Sequence, residues 1–168
     1  MAYFNTHPLR GAFLSNSLLG LADLIAEQGE DMLRAANIDV PSRAVSVMLL
    51  VGEHKEISAA DIAELLKHPH QLVTQRADLL IELQLIKRTS DPRDGRRKIL
   101  ILTEKGQTQF DLLTKRLAQV AEVFTSLFEE IECDIPAMAQ RAINALSHSP
   151  ILDRIETSKS RSPNKKQA

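Results

Sequence analysis

The 168-residue chain has one cysteine, Cys133, no tryptophan and one tyrosine. A lone cysteine excludes an internal disulfide and any multi-cysteine metal centre, which fits a reducing cytoplasm. Glycine is scarce, at six residues. Gly52, Gly95 and Gly106 fall at expected turns or helix boundaries, so no glycine-rich loop is available to cradle a phosphate. The apolar stretch from Leu14 to Ile25 is interrupted by Asn16 and Asp23, so no membrane span is expected. The first residues show no basic segment followed by an apolar one, so no secretory signal is expected either. No Ser/His/Asp set, plausible carboxylate pair or metal-ligand spacing is present. An enzyme is therefore not expected, and no cofactor or metal is called for. His68 and His70 flank Pro69 with no third ligand nearby, which suits turn and capping residues better than a metal site.

What is present is an ordinary globular composition, 43% apolar and 26% charged, with an uneven distribution of charge. The net charge is −1. Residues 1–66 hold 4 Lys/Arg against 9 Asp/Glu, residues 67–98 hold 8 against 4, and residues 99–168 hold 9 of each. A local basic patch on a near-neutral body is the footprint of a selective binder of anions.

Hydrophobic periodicity predicts mainly helix. Leu14, Leu18, Leu21 and Ile25 recur at helical spacing over about 11–36. A second helix is expected from an N-cap at Ser42 to near Gly52, and Ile57 suits a very short strand. Ser58 then caps a third helix, with Asp61 at its third position favouring the helix dipole. Pro69 is placed to open a fourth. On that helix Val73, Ala77, Leu80 and Leu83 share one face, while Gln71, Thr74, Gln75, Asp78 and Glu82 share the other. Arg76 lies inside the apolar arc, either paired with an acid such as Asp94 or reaching the edge. Asp91-Pro92 and Asp94-Gly95 are turn dipeptides, so Ile86 to Leu102 reads as a β-hairpin with Arg93, Arg96, Arg97 and Lys98 at or beside its tip. Thr103 is the expected N-cap of a long fifth helix. Its apolar seam from Phe110 to Ile131 steps by three and four residues and calls for a helical partner. Pro136 starts a sixth helix. From about Thr157 the composition suggests a disordered basic tail.

A helix pair followed by an arginine hairpin is what a duplex groove asks for. His70, Gln71, Thr74, Gln75 and Arg76 lie in the early turns of a candidate recognition helix, Ser58 caps the helix before it, and glutamine bonds adenine through two hydrogen bonds. Arg96 is placed to enter a narrow minor groove, and Arg93 and Arg97 to meet phosphates. The alternative for the hairpin is a plain solvated turn. The alternative for the lobe is a winged-helix module that meets an acidic protein rather than DNA. Cys133 lies among Glu129, Glu130, Glu132 and Asp134, which disfavour a thiolate, so a spectator role is expected.

Residues 41 to 106 resemble the MarR family of bacterial transcription regulators. The resemblance is carried by Ile62-Ala63-Glu64-Leu65-Leu66, by Val73-Thr74-Gln75-Arg76 with Leu80, by Asp91-Pro92-Arg93-Asp94-Gly95-Arg96, and by Leu102-Thr103-Glu104-Lys105-Gly106. It implies an α+β fold, mainly α with a small hairpin: a winged helix-turn-helix flanked by N- and C-terminal dimerisation helices. The implied division is 1–40 and 104–156 for dimerisation, 41–103 for the DNA-binding lobe and 157–168 for the tail. It further implies a homodimer on pseudo-palindromic double-stranded DNA and a repressor released by a small-molecule effector whose binding residues are not readable. The wing's Asp-x-Arg falls on Asp94 as brace and Arg96 as minor-groove reader. Gln84 departs from the pattern, since the family commonly has glycine there.

Overall fold

The computed structural model describes residues 6–91 and 97–161. The chain divides into two compact units, residues 1–118 and 119–168. In the first, a 3-10 turn leads into α1 (Leu14–Ala35), and a second 3-10 turn, Ser42–Ala44, into α2 (Val45–His54). There follow α3 (Ala59–Leu66), α4 (His70–Glu82), β1 (Ile86–Ser90), β2 (Lys98–Leu102) and the long α5 (Glu104–Glu130), which continues into the second unit. The expected fold class is present: mainly helix, with one antiparallel hairpin.

The core of the first unit lies where α2, α3, α4 and the hairpin converge. Val47, Met48 and Val51 of α2 are buried, as are Ile62 of α3 and Leu85, Ile86 and Leu100 at the base of the hairpin. Each such side chain contributes about 1.5–3 kcal/mol through removal from water. The expected seam of α5 begins here, with Leu113 buried and Phe110 and Leu117 packed against the core. The hairpin pairs Ile86 with Leu102 and Ser90 with Lys98. Ile57 adds the expected one-residue strand, its carbonyl accepting from Leu100 N at 2.7 Å.

Helix boundaries repeat one device. Asn37, Lys55, Lys67, Gln84 and Glu132 all have positive φ, and each follows a helix. Gln84, at φ 59, shows why its position suits glycine. It closes α4 in a Schellman pattern, with Leu85 N donating to Leu80 O and Gln84 N to Ile81 O, both at 2.9 Å.

Three boundary expectations change. Ser42 is not the N-cap of α2. Its N–H and hydroxyl both donate to Glu30 Oε1, at 2.8 and 2.7 Å, and the helix starts three residues later. Pro69 is the N-cap of α4 rather than its first residue. Gly52 does not end α2, which runs to His54. It makes room instead for the Phe110 ring, whose Cζ would lie 2.7 Å from a Cβ built there.

In the second unit α6 (Ile135–His148) opens with Asp134 as N-cap and Pro136 in its first turn, and α7 (Ile151–Arg161) follows. Arg154 reaches back, Nε donating to Ser149 O and Nη2 to Ala145 O, both at 2.7 Å, so that carbonyls at the end of α6 are satisfied. The expectation of disorder from Thr157 is corrected over 157–161, which continue α7. The hydroxyls of Thr157 and Ser158 fold back onto carbonyls one turn earlier instead of competing with the helix. Ile143, Leu146, Ile151, Leu152 and Ile155 remain exposed in this unit.

Candidate nucleic-acid interface

The site is assembled from α3, α4 and the hairpin. Ser58 caps α3 as expected, in a reciprocal capping box. Its hydroxyl oxygen accepts from Asp61 N at 3.2 Å, and Asp61 Oδ2 accepts from Ser58 N at 3.1 Å and from the Ser58 hydroxyl at 2.8 Å. Ser58 is only 5% exposed, so the hydroxyl is committed to this cap. The α3 helix ends at Lys67, in the left-handed region. The turn then delivers Pro69 to the start of α4.

The two faces of α4 separate as the periodicity requires. Val73, Ala77 and Leu80 are fully buried. Gln71, Gln75, Asp78 and Glu82 are exposed, and Thr74 is half-buried. Gln71 and Gln75 make no hydrogen bond within the described residues, so their amide groups are available. His70 is exposed, its Nδ1 3.5 Å from Thr74 Oγ1. Arg76, the residue that did not fit the apolar arc, is half-buried with Nη1 3.2 Å from His68 Nδ1. A guanidinium only donates, so in this contact the ring nitrogen is placed as the acceptor. Arg76 Nε is buried with no partner among the described residues.

Two ion pairs that sequence reasoning missed tie the hairpin to the helices. Arg88 of β1 pairs with Asp78 on the exposed face of α4. Arg97 Nη2 pairs with Asp61 and lies 3.3 Å from Ser58 Oγ. Arg97 was expected to face a phosphate; it is engaged with the first turn of α3. Asp61 was expected only to favour the helix dipole, and it also holds the wing. Its carboxyl is held below the usual carboxylate range, first by the Ser58 hydroxyl, then by the Ser58 N–H and Arg97, with partial burial opposing. No local motif could have revealed this pair, whose members are 36 residues apart. Beyond them, Lys98 Nζ donates to Ser90 Oγ at 2.8 Å, and Asp91 N to Arg97 O at 2.9 Å. Arg93, Asp94 and Arg96 lie outside the described residues.

Among the described residues no three His, Cys, Asp or Glu side chains cluster to hold a metal ion, and no helix is long and apolar enough to cross a membrane.

Residues 38–97 match the model of the MarR family. No curated protein sequence matches the chain. Among solved structures it is similar to a MarR transcriptional regulator from Methanosarcina mazei Go1, at 16% identity and TM-score 0.60, covering 80% of this chain and 99% of that one. It is also similar to the transcriptional regulator BldR from Sulfolobus solfataricus, at 15% identity and TM-score 0.59, covering 85% and 99%. Wild-type MarR from E. coli is similar at 15% identity and TM-score 0.53, covering 79% and 95%. At these identities the likeness is one of fold. The capped α3, the two-faced α4 and β1 fall within the matched segment, and β2 follows directly after it, so over residues 38–97 the chain is similar to the MarR family and shares its winged helix-turn-helix fold.

Proposed function

We propose that the protein is a dimeric, sequence-specific DNA-binding transcription regulator of the cytoplasm, a repressor released by a small-molecule effector. The observation that carries this reading is α4. Its inner face is fully buried, so its orientation is fixed, and its outer face offers the unpartnered amides of Gln71 and Gln75 beside a hairpin. Such a helix enters the major groove with its early turns. Gln71 and Gln75 are the candidates for adenine, Thr74 for a thymine methyl, and His70 and Arg76 for the groove edge. Arg96 is assigned to the minor groove with Asp94 as its brace, and Arg93 to a phosphate.

A second copy of the chain would cover the apolar side chains left exposed in each unit. These include Leu14, Leu18 and Ile25 of α1 in one, and Ile143, Leu146, Ile151, Leu152 and Ile155 in the other. The proposed dimerisation segments are thus 1–40 and 104–156, around a DNA-binding lobe at 41–103, with 157–168 as a basic tail. Two-fold symmetry then places two copies of α4 on half-sites about 10 base pairs apart. An effector releases the DNA if it prefers a dimer in which that spacing is wrong, and a coupling of about 1–3 kcal/mol gives roughly 5–150-fold weaker binding.

The test is a binding titration on a random duplex at low salt, where a DNA-binding lobe shows about micromolar affinity or better. Arg96→Ala should lower affinity and reduce the salt slope by about one. Gln75→Ala should relax sequence preference while sparing non-specific binding. Failure of the wild-type protein to bind any duplex would refute the reading and favour a winged-helix module that meets an acidic protein.

A further inference from the structure

The hairpin is fastened to the N-terminal end of α3 at two points. One is the backbone bridge between Ile57 and Leu100, with hydrogen bonds of 2.7 and 3.4 Å. The other is the Arg97 side chain, held by Asp61 and by Ser58 Oγ at 3.3 Å. Residue 97 immediately precedes β2 and lies three residues from Leu100, so the backbone positions from which the two attachments arise are at most about 10 Å apart. A strand held at one point pivots about it, whereas two separated points fix its inclination. The second attachment therefore acts, with the Arg88–Asp78 pair and the buried base of the hairpin, on the angle at which the hairpin leaves the body of the lobe.

The same geometry bears on what Arg97 does. Its guanidinium faces a carboxylate that already accepts two hydrogen bonds from Ser58. An arginine neutralised in this way adds little to the attraction for a phosphate, since the nearby anion cancels most of its field.

We propose that Asp61, with Ser58, is the positioning residue of the wing, and that Arg97 acts on DNA only through that tie and not as a phosphate contact. The affinity part of this proposal rests on the DNA-binding reading above, and the tie itself does not. Both side chains are nearly half exposed, 46% for Arg97 and 41% for Asp61. A pair this exposed is worth at most about 1 kcal/mol, so the effect to look for is a few-fold one.

The test uses the full chain and Asp61→Asn, which keeps an oxygen acceptor for the Ser58 box while removing the charge. On a random duplex at low salt the affinity of Asp61→Asn should fall by about three- to five-fold. If Arg97 were a phosphate contact, removing its anionic neighbour would raise affinity, and that result would overturn the proposal. Arg97→Ala should cause a similar loss, and the double variant should lose no more than either single one. Losses that multiply would show that the two residues act separately. A second measurement needs no DNA: the Asp91 and Leu100 N–H groups should exchange hydrogen faster in Asp61→Asn. Unchanged exchange would refute the tie. If the wild-type protein fails to bind the duplex, the DNA-binding reading falls while the exchange measurement still decides the tie.

Discussion

Replacing Gly106 with alanine should destabilise the protein by about 3 kcal/mol. Gly106 is buried in the first turn of α5, under the end of α4 and the start of β1. A Cβ there would lie 2.8 Å from the Leu85 carbonyl carbon and 3.3 Å from Leu85 Cα, and nearer still to the carbonyl oxygen. These are backbone atoms, so no rotamer change relieves the contact. Ordinary carbon–carbon separations are about 3.5–4.0 Å, so the start of α5 must retreat by about 1 Å. That retreat strains the bonds joining the same elements: Thr103 N to Leu85 O at 3.0 Å, and the Thr103 hydroxyl to Gln84 O at 2.7 Å. Losing two bonds worth about 0.5–1.5 kcal/mol each, together with an overpacking cost of about 1–3 kcal/mol, gives the expected total. Helix propensity predicts the opposite sign, because alanine is favoured over glycine by about 1 kcal/mol inside a helix. Urea unfolding followed by circular dichroism, at one fixed protein concentration, separates the two. A variant as stable as the wild type, or more so, would refute the close-approach argument.

Gln84→Gly should stabilise the protein by about 0.5–1 kcal/mol, because relief of the left-handed penalty outweighs the entropy glycine gains in the unfolded chain; the same urea titration reads it. Asp61 should leave a mark on acid stability. Its folded pKa lies below the ordinary aspartate value of about 3.9, so its contribution is present above that value and is lost as the pH falls through the lowered folded one. The stability gap between wild type and Asp61→Asn, read by urea midpoints, should therefore be largest above about pH 4 and close at lower pH. A gap that is constant with pH would contradict the assignment.

Features decided within one helical turn could be read in advance. The Ser58 cap follows from its spacing to Asp61, the buried face of α4 from the period of Val73, Ala77 and Leu80, and the Thr103 cap from its place before Glu104. Thr103 does accept from Gly106 N at 2.9 Å. Features set by residues distant in the chain could not be read. Ser42 looks like a cap until Glu30 is seen to take its hydroxyl. Arg97 looks like a free cation until the fold brings Asp61 to it. In α7 a polar composition argued for disorder, but Arg154 and the back-bonded hydroxyls supply local bonds that composition does not reveal. The candidate base-reading residues were legible for the opposite reason, since an exposed amide on a two-faced helix needs no distant partner to be recognised.

Among the described residues, five helix ends at positive φ carry a further consequence. Asn37, Lys55, Lys67, Gln84 and Glu132 each occupy a conformation that costs a non-glycine residue roughly 1 kcal/mol. Together they hold the native state several kcal/mol beneath what the same fold could reach, partly offset because side chains restrict the denatured chain more than glycine would. Typical domains are stable by only about 5–15 kcal/mol, so this is a large margin. It is spread over boundary positions that include none of the proposed DNA contacts. The scarcity of glycine with which the sequence began is therefore also a map of where the protein can be made more robust without altering what it binds.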